Sequence, residues 1–184
     1  FDGVDDYVNV PHNDILNFNM GDGTIIMLIY PPSIPLNTTK GYLTKKYSYN
    51  YYYPGIDIHI DTRSTYGYRG WAFRFNDGTK ITDTVAYPDS PGLAYELQNP
   101  KWWFIAVRFL RQPSFGVNFF INGIFYNTWY DGYYNFTQSP NNTQPLKIGI
   151  SLGGIYGPGI IDEVRIYNRA LSDQEIKALY EATK

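Results

Sequence analysis

The sequence predicts an all-β fold of antiparallel strands with a short helix at its C-terminal end. Three observations predict it: short apolar or alternating segments recur at the spacing of a β-sandwich, turn residues separate them, and a helical pattern follows the last strand. The 184 residues are a normal size for one sandwich with one core. We therefore expect residues 1–184 to form a single domain. Because the chain starts at Phe1 without a Met or an apolar leader, we expect it to be excised from a longer protein.

The inner strands follow from patterning and from the turns between them. Asn76-Asp77-Gly78 and Asn122-Gly123 are predicted hairpin turns, because these residues accept positive φ. Residues 102–107 are apolar on both faces, which predicts a central strand. The predicted inner strands are Thr24–Tyr30, Gly41–Tyr47, Ile56–Ile60, Trp71–Asn76, Trp102–Phe109, Val117–Ile121 and Leu146–Ile150.

One strand in this set has a clear core face. Trp71, Phe73 and Phe75 alternate with Ala72 and with polar residues, so the three aromatic side chains are expected to point into the core. The opposite face of this strand is expected to be wetter.

The last strand is predicted at residues 160–167, at the edge of a sheet. Strict alternation would place Asp162 on one face together with Val164 and Ile166, and Glu163 on the other face.

A helix is predicted to begin at Ser172. Glu175 follows three residues later, which is the spacing of a capping box, and Leu171 and Ile176 flank the cap as a staple pair. Ile176, Leu179 and Tyr180 then form an apolar stripe that needs a sheet to lie against.

Five segments carry a family resemblance. They are Phe1–Val8, Trp102–Val107, Val117–Gly123, Pro145–Gly149 and Gly159–Ser172, in this order. Together they resemble the laminin-G-like group of the concanavalin A-like lectin/glucanase superfamily. The resemblance implies a jelly-roll sandwich of two antiparallel sheets. It also implies a sugar-binding or adhesive module attached to a larger secreted protein.

Composition excludes several classes of protein. Fifteen basic and 17 acidic residues give a net charge of −2 without a basic cluster beyond Lys45-Lys46, which argues against nucleic-acid binding. No apolar run is long enough for a membrane span. Cysteine is absent, so stability must come from burial or from an ion held by oxygen ligands.

The same composition favours an exported protein. Tyrosine is abundant, with 19 residues, and only 17% of residues are charged, so the surface keeps its hydration when carboxylates are protonated. We expect an extracellular location, at a cell surface or a virion surface. Three sequons make Asn37, Asn135 and Asn141 candidate glycosylation sites.

Catalysis is not expected. Retaining glycosidases need two carboxylates about 5 Å apart, whereas Asp57 and Asp61 lie about 13 Å apart along a strand. His12 lies in a predicted turn and His59 stands alone. Serine nucleophile elbows and phosphate-binding glycine loops are missing from the sequence.

Calcium is the cofactor that the resemblance suggests. Hydrolases of glycoside family sixteen resemble this chain at their closing strand, where an Asp ligates a structural ion; Asp162 holds the matching place. The resemblance implies ligands from Asp162, from Asp2 and from backbone carbonyls near Phe1, because hard oxygen donors suit Ca²⁺. The alternative is that Asp162 caps the strand end or pairs with a neighbouring cation, with Asp2 a solvated turn residue.

Two stretches combine flat aromatic rings with polar groups, as sugar ligands require. We name residues 47–53 the first aromatic loop and residues 129–135 the second. The candidate ligand-binding residues are Tyr49, Tyr51, Tyr52, Tyr53, Trp129, Asp131, Tyr133 and Tyr134.

These loops leave three functions open. The first is a non-catalytic carbohydrate-binding or adhesion module. The second is a structural domain of a filament, surface layer or virion, whose aromatic loops contact a neighbouring protein or another copy of the chain. The third is an accessory domain of a glycosidase.

Overall fold

The computed structural model describes residues 1–47, 53–63, 70–86, 96–111, 115–126 and 136–184, and the backbone of residues 128–130. Two antiparallel sheets form the fold, which confirms the predicted all-β class. The larger sheet has seven strands in the order β1 (Val8–Val10), β11 (Leu146–Ile148), β3 (Thr39–Lys45), β4 (Gly55–Asp61), β5 (Gly70–Asn76), β6 (Ile81–Ala86) and β10 (Thr128–Tyr130).

The second sheet has the predicted central strand in its middle. Its order is β14 (Ile160–Tyr167), β2 (Gly23–Tyr30), β7 (Trp103–Leu110), β8 (Gly116–Ile121) and β9 (Ile124–Tyr126). On β7, Trp103, Ile105 and Val107 enter the main core between the sheets. Phe104 and Ala106 enter a second apolar cluster on the other face, so both faces of this strand are buried.

Aromatic side chains from both sheets fill the main core. Trp71, Phe73 and Phe75 of β5 are all fully buried there, as predicted. Phe73 stacks on Phe109 of the opposite sheet, with ring centroids 5.8 Å apart. Burying a side chain of this size contributes about 2–3 kcal/mol, so this contact helps to hold the sheets together.

The C-terminal helix α1 (Asp173–Glu181) covers the outer face of the five-stranded sheet. Its predicted capping box is present, because Glu175 N donates to Ser172 Oγ at 3.2 Å and Ser172 N donates to Glu175 Oε2 at 2.8 Å. Leu171 and Ile176 are buried against Phe104 in the second cluster. The amphipathic stripe thus has the sheet contact that its pattern requires.

The predicted alternation along β14 is wrong. Pairing with β2 shifts register between Asp162 and Arg165, and Glu163 between them has a positive φ of 52°. This β-bulge inserts one residue and reverses the faces. As a result Ile161 packs against the main core on the same side as Val164.

Several strand boundaries also differ from prediction. The first strand, which is not among the predicted inner strands, starts at Val8, and a pair of backbone hydrogen bonds links Phe1 to Gly159 upstream of it. The segment predicted as Leu146–Ile150 breaks at Gly149, which has φ 91°. Both predicted hairpin turns are confirmed, with positive φ at Gly78 in one and at Asn122 and Gly123 in the other.

A small hairpin lies on the outer face of the seven-stranded sheet. It consists of β12 (Ile150–Ser151) and β13 (Ile155–Tyr156). Its close approach depends on Gly41 of β3, because a Cβ there would lie 2.1 Å from both the Cβ and the backbone N of Ser151.

We expect Gly41→Ala to lower the free energy of unfolding by about 3 kcal/mol, since the added carbon meets backbone that cannot move aside. Gly21→Ala is the matched control, because a Cβ there would lie 3.5 Å from its nearest neighbour, the Phe18 carbonyl oxygen. Its effect should stay within about 0.5 kcal/mol. Urea unfolding measures both variants, and equal midpoints for the two would contradict the packing of the hairpin on Gly41.

Candidate ligand-binding face

The outer face of the seven-stranded sheet carries a row of charged side chains. Alternate residues of β4 point into the core, so Asp57 points outward. The strand register then sets Arg74 of β5 opposite Asp57, and Asp83 of β6 opposite Arg74. We call these three residues the charged row. Cross-strand neighbours of opposite charge stabilise one another and place ionic groups side by side.

The exposed end of the charged row is the Arg74–Asp83 pair. Arg74 Nη2 donates to Asp83 Oδ2 at 2.6 Å. The Arg74 side chain is only 12% exposed, whereas that of Asp83 is 41% exposed. Asp83 Oδ1 is buried without a hydrogen-bond partner among the described residues, so a ligand can approach this carboxylate only at Oδ2.

The buried end of the charged row is fully paired. Asp57 is completely buried; its Oδ2 lies 2.9 Å from His59 Nδ1 and accepts a hydrogen bond from Ser151 Oγ at 2.8 Å. The prediction that His59 stands alone is therefore wrong, since residues two apart on a strand share a face. Ser151 bonds the carboxylate and not the imidazole, so the three residues do not form a nucleophile–base pair.

The environment of Asp57 favours its charged form. Burial by itself raises the pKa of Asp57, but the contact and charge of His59, the charge of Arg74 and the Ser151 hydrogen bond together lower it below 3.8. The contacts of Asp57 with Ser151 and with Leu152 N also hold the β12–β13 hairpin to the sheet. This end of the row is structural.

Two adjacent lysines at the end of β3 have opposite surroundings. Lys45 Nζ donates to Asn142 O at 2.7 Å and to Asn142 Oδ1 at 3.2 Å. Lys46 is 6% exposed, and its Nζ has no hydrogen-bond acceptor among the described residues. Burial first, and then the charge of Arg74, lower the pKa of Lys46 to about 8, against the opposing effect of the Asp57 and Asp83 charges. Lys46 thus keeps a buried donor that the described fold does not use.

Tyr47 and Tyr53 lie at the two ends of the first aromatic loop. They are 65% and 42% exposed, and their ring centroids are 5.1 Å apart. Tyr47 directly follows Lys46, so an exposed pair of aromatic rings is adjacent in the chain to the unused donor. Tyr49, Tyr51 and Tyr52 lie outside the described residues, as do Asp131, Tyr133 and Tyr134 of the second loop; Trp129 is described only as backbone of β10.

The flanks of both aromatic loops meet at one end of the seven-stranded sheet. The first loop joins β3 to β4, and Asn142 Nδ2 ties its two ends together by donating to the carbonyls of Lys45 and Pro54. The second loop runs between β10 and Thr137, whose N donates to Asp77 Oδ2 in the turn at that same end. This end of the sheet therefore combines the flanks of the aromatic loops with the charged residues.

The two residues predicted to bind a metal are placed differently. Asp2 lies in an exposed group with Asp5 and Asp6, whose carboxylates are within 4.8 Å of one another. Asp162 does not join that group; it points from the five-stranded sheet into a pocket beside α1. Asp162 also does not pair with Arg165, which binds Glu163. Calcium binding stays a prediction.

The predicted glycosylation sites differ in their surroundings. Asn37 is exposed, in a turn with φ 62°. Asn141 exchanges two hydrogen bonds with Asn19, at 2.7 and 2.9 Å. Asn135 lies outside the described residues.

A protein-family comparison identifies the fold family. The laminin G model described as "Concanavalin A-like lectin/glucanases superfamily" matches residues 2–177. The chain belongs to this family. The resemblance read from the five segments is thereby confirmed. A sequence search of curated proteins finds no match.

Solved structures of binding domains share the fold. The binding domain of the Paraclostridial mosquitocidal protein 1 aligns with a TM-score of 0.72 and 19% identity, over 96% of this chain and 41% of that one. The binding domain of botulinum neurotoxin DC, solved with rat synaptotagmin II, has a TM-score of 0.65 and 15% identity, over 97% of this chain and 40% of that one. Domain 4 of AbnA, an extracellular arabinanase of Geobacillus stearothermophilus solved with arabinotriose, has a TM-score of 0.60 and 17% identity, over 95% of this chain and 72% of that one.

The chain spans about two fifths of the toxin binding domains that it matches. At such identities the likeness establishes the shared fold, while the receptors and sugars named belong to those proteins. No helix in the described part of the chain is long and apolar enough to cross a membrane.

We expect Asp57→Asn to lower the free energy of unfolding at pH 7 by about 2–4 kcal/mol, because it removes the counter-ion of a buried cluster. The pKa of Asp57 is lower in the folded state than in the unfolded state, so its contribution is complete above about pH 4 and is lost as pH falls further. The difference in the free energy of unfolding between wild type and variant should therefore become smaller in acid. Asp14→Asn is the control, since that carboxylate is 95% exposed. A gap independent of pH, measured by urea unfolding at pH 2.5–7, would contradict this account.

Proposed function

We propose that this chain is a non-catalytic glycan-recognition module of an exported protein. The ligand binds at the end of the seven-stranded sheet where Lys46 and the described flanks of the aromatic loops lie near the charged row. The observation that carries the proposal is Lys46, whose ammonium is buried without a hydrogen-bond acceptor in the described part of the chain. A buried, unpaired charge destabilises a fold, and such a group persists where a ligand needs it.

The neighbours of Lys46 supply the other groups that a sugar needs. Hydroxyl groups of a sugar accept from Lys46 Nζ and donate to Oδ2 of the partly exposed Asp83 side chain. The exposed rings of Tyr47 and Tyr53 offer flat surfaces for the C–H face of a pyranose. The arabinotriose-bound relative with this fold supports the ligand class.

A structural role is the second candidate. Exposed, rigid tyrosines such as Tyr47 and Tyr53 are also typical of protein interfaces. In this case the loops would contact a neighbouring surface protein or a second copy of the chain. The solution mass, measured by light scattering, bears on this role: stable self-association without ligand would favour it.

A structural Ca²⁺ ion near the N-terminus is part of the proposal. It is supported by the family resemblance and by the oxygen donors of Asp2, Asp5 and Asp6. If the ion binds only the folded chain, chelation must lower Tm and added Ca²⁺ must restore it. An unchanged Tm after chelation removes this part of the proposal and leaves glycan binding untouched.

We expect Lys46→Met to stabilise the protein and to abolish glycan binding. Methionine keeps the apolar stem and removes the buried charge, so the free energy of unfolding at pH 7 should rise by about 1–3 kcal/mol. The pKa of Lys46 is about 8 in the folded state and 10.5 in the unfolded state, so the wild type gains stability as pH rises from 8 to 10.5. The difference in the free energy of unfolding between wild type and variant should therefore disappear over this range. Thermal unfolding at pH 7 and 10 measures this.

Lys45→Met is the matched control. Burial lowers the pKa of Lys45 to about 8 as well, but its Nζ has two acceptors on Asn142. Losing these bonds should destabilise the fold by about 1–2 kcal/mol and leave glycan binding intact. If both lysine variants destabilise the protein and both still bind, Lys46 has no role in recognition.

The ligand itself is identified by a glycan array probed with the wild type, with and without Ca²⁺. We expect saturable binding to a defined glycan, weakened at least tenfold by Tyr47→Ala or Tyr53→Ala because each removes a stacking surface. Tyr156→Ala, away from this loop, is the aromatic control. An array without binding, together with a dimeric or larger mass, would favour the structural role.

A further inference from the structure

A pocket of about 400 Å³ opens on the outer face of the five-stranded sheet, beside the end of α1. This volume is within the range of small-molecule sites. The pocket lies on the other sheet from the charged row, so it is separate from the site proposed above. Its walls include Leu28, Trp102, Phe104, Asn122, Asp162 and Tyr180.

The β-bulge in β14 directs Asp162 into this pocket. Regular alternation would turn Asp162 toward the core with Val164, but the inserted residue reverses the faces. The bulge requires Glu163 at a backbone φ of 52°, which residues other than Gly and Asn rarely adopt. Strained backbone of this kind is concentrated at binding sites.

The polar groups of the pocket are held in place before any ligand arrives. Asp162 Oδ1 accepts from Glu163 N at 2.8 Å, and no cation pairs with this carboxylate among the described residues. Asn122 Oδ1 accepts from Phe104 N at 3.0 Å, which orients the amide and leaves its Nδ2 as a donor. A fixed acceptor and a fixed donor thus line one small pocket.

The pocket also has an exposed flat ring. Trp102 is 44% exposed, and Tyr30 holds it edge-on with ring centroids 5.5 Å apart. A held indole with one open face stacks well on the C–H face of a pyranose.

The charges around the pocket favour a neutral ligand over a cationic one. The Tyr180 ring of the pocket already carries a cation, because Lys184 Nζ lies 4.7 Å from its centroid. Lys184 is itself paired with Glu181. The lone carboxylate of Asp162 then best accepts hydroxyl hydrogens.

We propose that this pocket is a second carbohydrate site, which takes one neutral pyranose residue between Trp102 and Asp162. The inference rests on the proposed function for its ligand class and on a different set of residues for its place. Two sites on opposite sheets would make one chain bivalent, so that it holds a branched or clustered glycan more tightly than either site alone.

The test is ¹⁹F NMR of the chain labelled with 5-fluorotryptophan, with the Trp102 resonance assigned by Trp102→Phe. The probes are the methyl pyranosides of glucose, galactose, mannose and N-acetylglucosamine, titrated singly, and tetramethylammonium as the cationic alternative. We expect a saturable shift of the Trp102 ¹⁹F resonance with at least one pyranoside, at millimolar concentration. Asp162→Asn should weaken it at least tenfold, because it keeps the shape and removes the charge.

Glu163→Gly is the matched control. Glycine adopts φ 52° without strain and preserves the bulge, so this variant should bind as the wild type does. No saturable shift with any pyranoside, a response to tetramethylammonium alone, or equal binding by Asp162→Asn would each overturn the proposal.

Lys46→Met separates this site from the one on the other sheet. If the glycan array is positive and Lys46→Met abolishes it while Trp102 does not respond, the pocket proposal fails and the proposed function stands. If Trp102 responds and Lys46→Met still binds the array, the pocket stands and the site on the seven-stranded sheet fails.

Discussion

The burial of β7 on both faces dictates which layers must pack around it. One face packs Trp103, Ile105 and Val107 between the sheets, and the other packs Phe104 and Ala106 under α1. A strand that is apolar on both sides has no solvated face, so it requires a second sheet on one side and a helix on the other. The capped helix at the end of the chain meets the second requirement. Because α1 covers only part of the sheet, a pocket remains at its end.

The outer face of the seven-stranded sheet differs, because charged side chains are buried on it. Asp57 is buried with every contact that a carboxylate needs, from His59, Ser151 and the Leu152 amide. Lys46, on the same face, is nearly as buried and lacks a hydrogen-bond acceptor among the described residues. A satisfied buried charge rigidifies a fold, whereas an unsatisfied one costs stability. This contrast separates the structural end of the face from the end that we assign to a ligand.

Much of this fold could be predicted from the sequence, because the signals are local. The capping box of Ser172 and Glu175, the Asn122-Gly123 turn and the two apolar faces of residues 102–107 each need only a few neighbouring residues. Strand β6 (Ile81–Ala86) was missed, because Thr82 and Thr84 fill its buried positions and mimic a polar segment. The candidate site was predicted in part: Tyr53 and its loop were selected from composition, while Lys46 and Asp83 were not.

The family, the all-β class, the helix start and the central strand all follow from patterns within short stretches of sequence. Which charges are satisfied and where Asp162 points depend on the folded arrangement of the strands. His59 looks isolated in the sequence, but on the folded strand it contacts Asp57. The role of Gly41 also cannot be seen in the sequence, because it depends on the β12–β13 hairpin that packs on it. The bulge at Glu163 puts Asp162 on the face opposite to the one that strict alternation predicts. Local signals depend on the chemistry of a few adjacent residues, whereas pairing, desolvation and bulges depend on which distant strands meet.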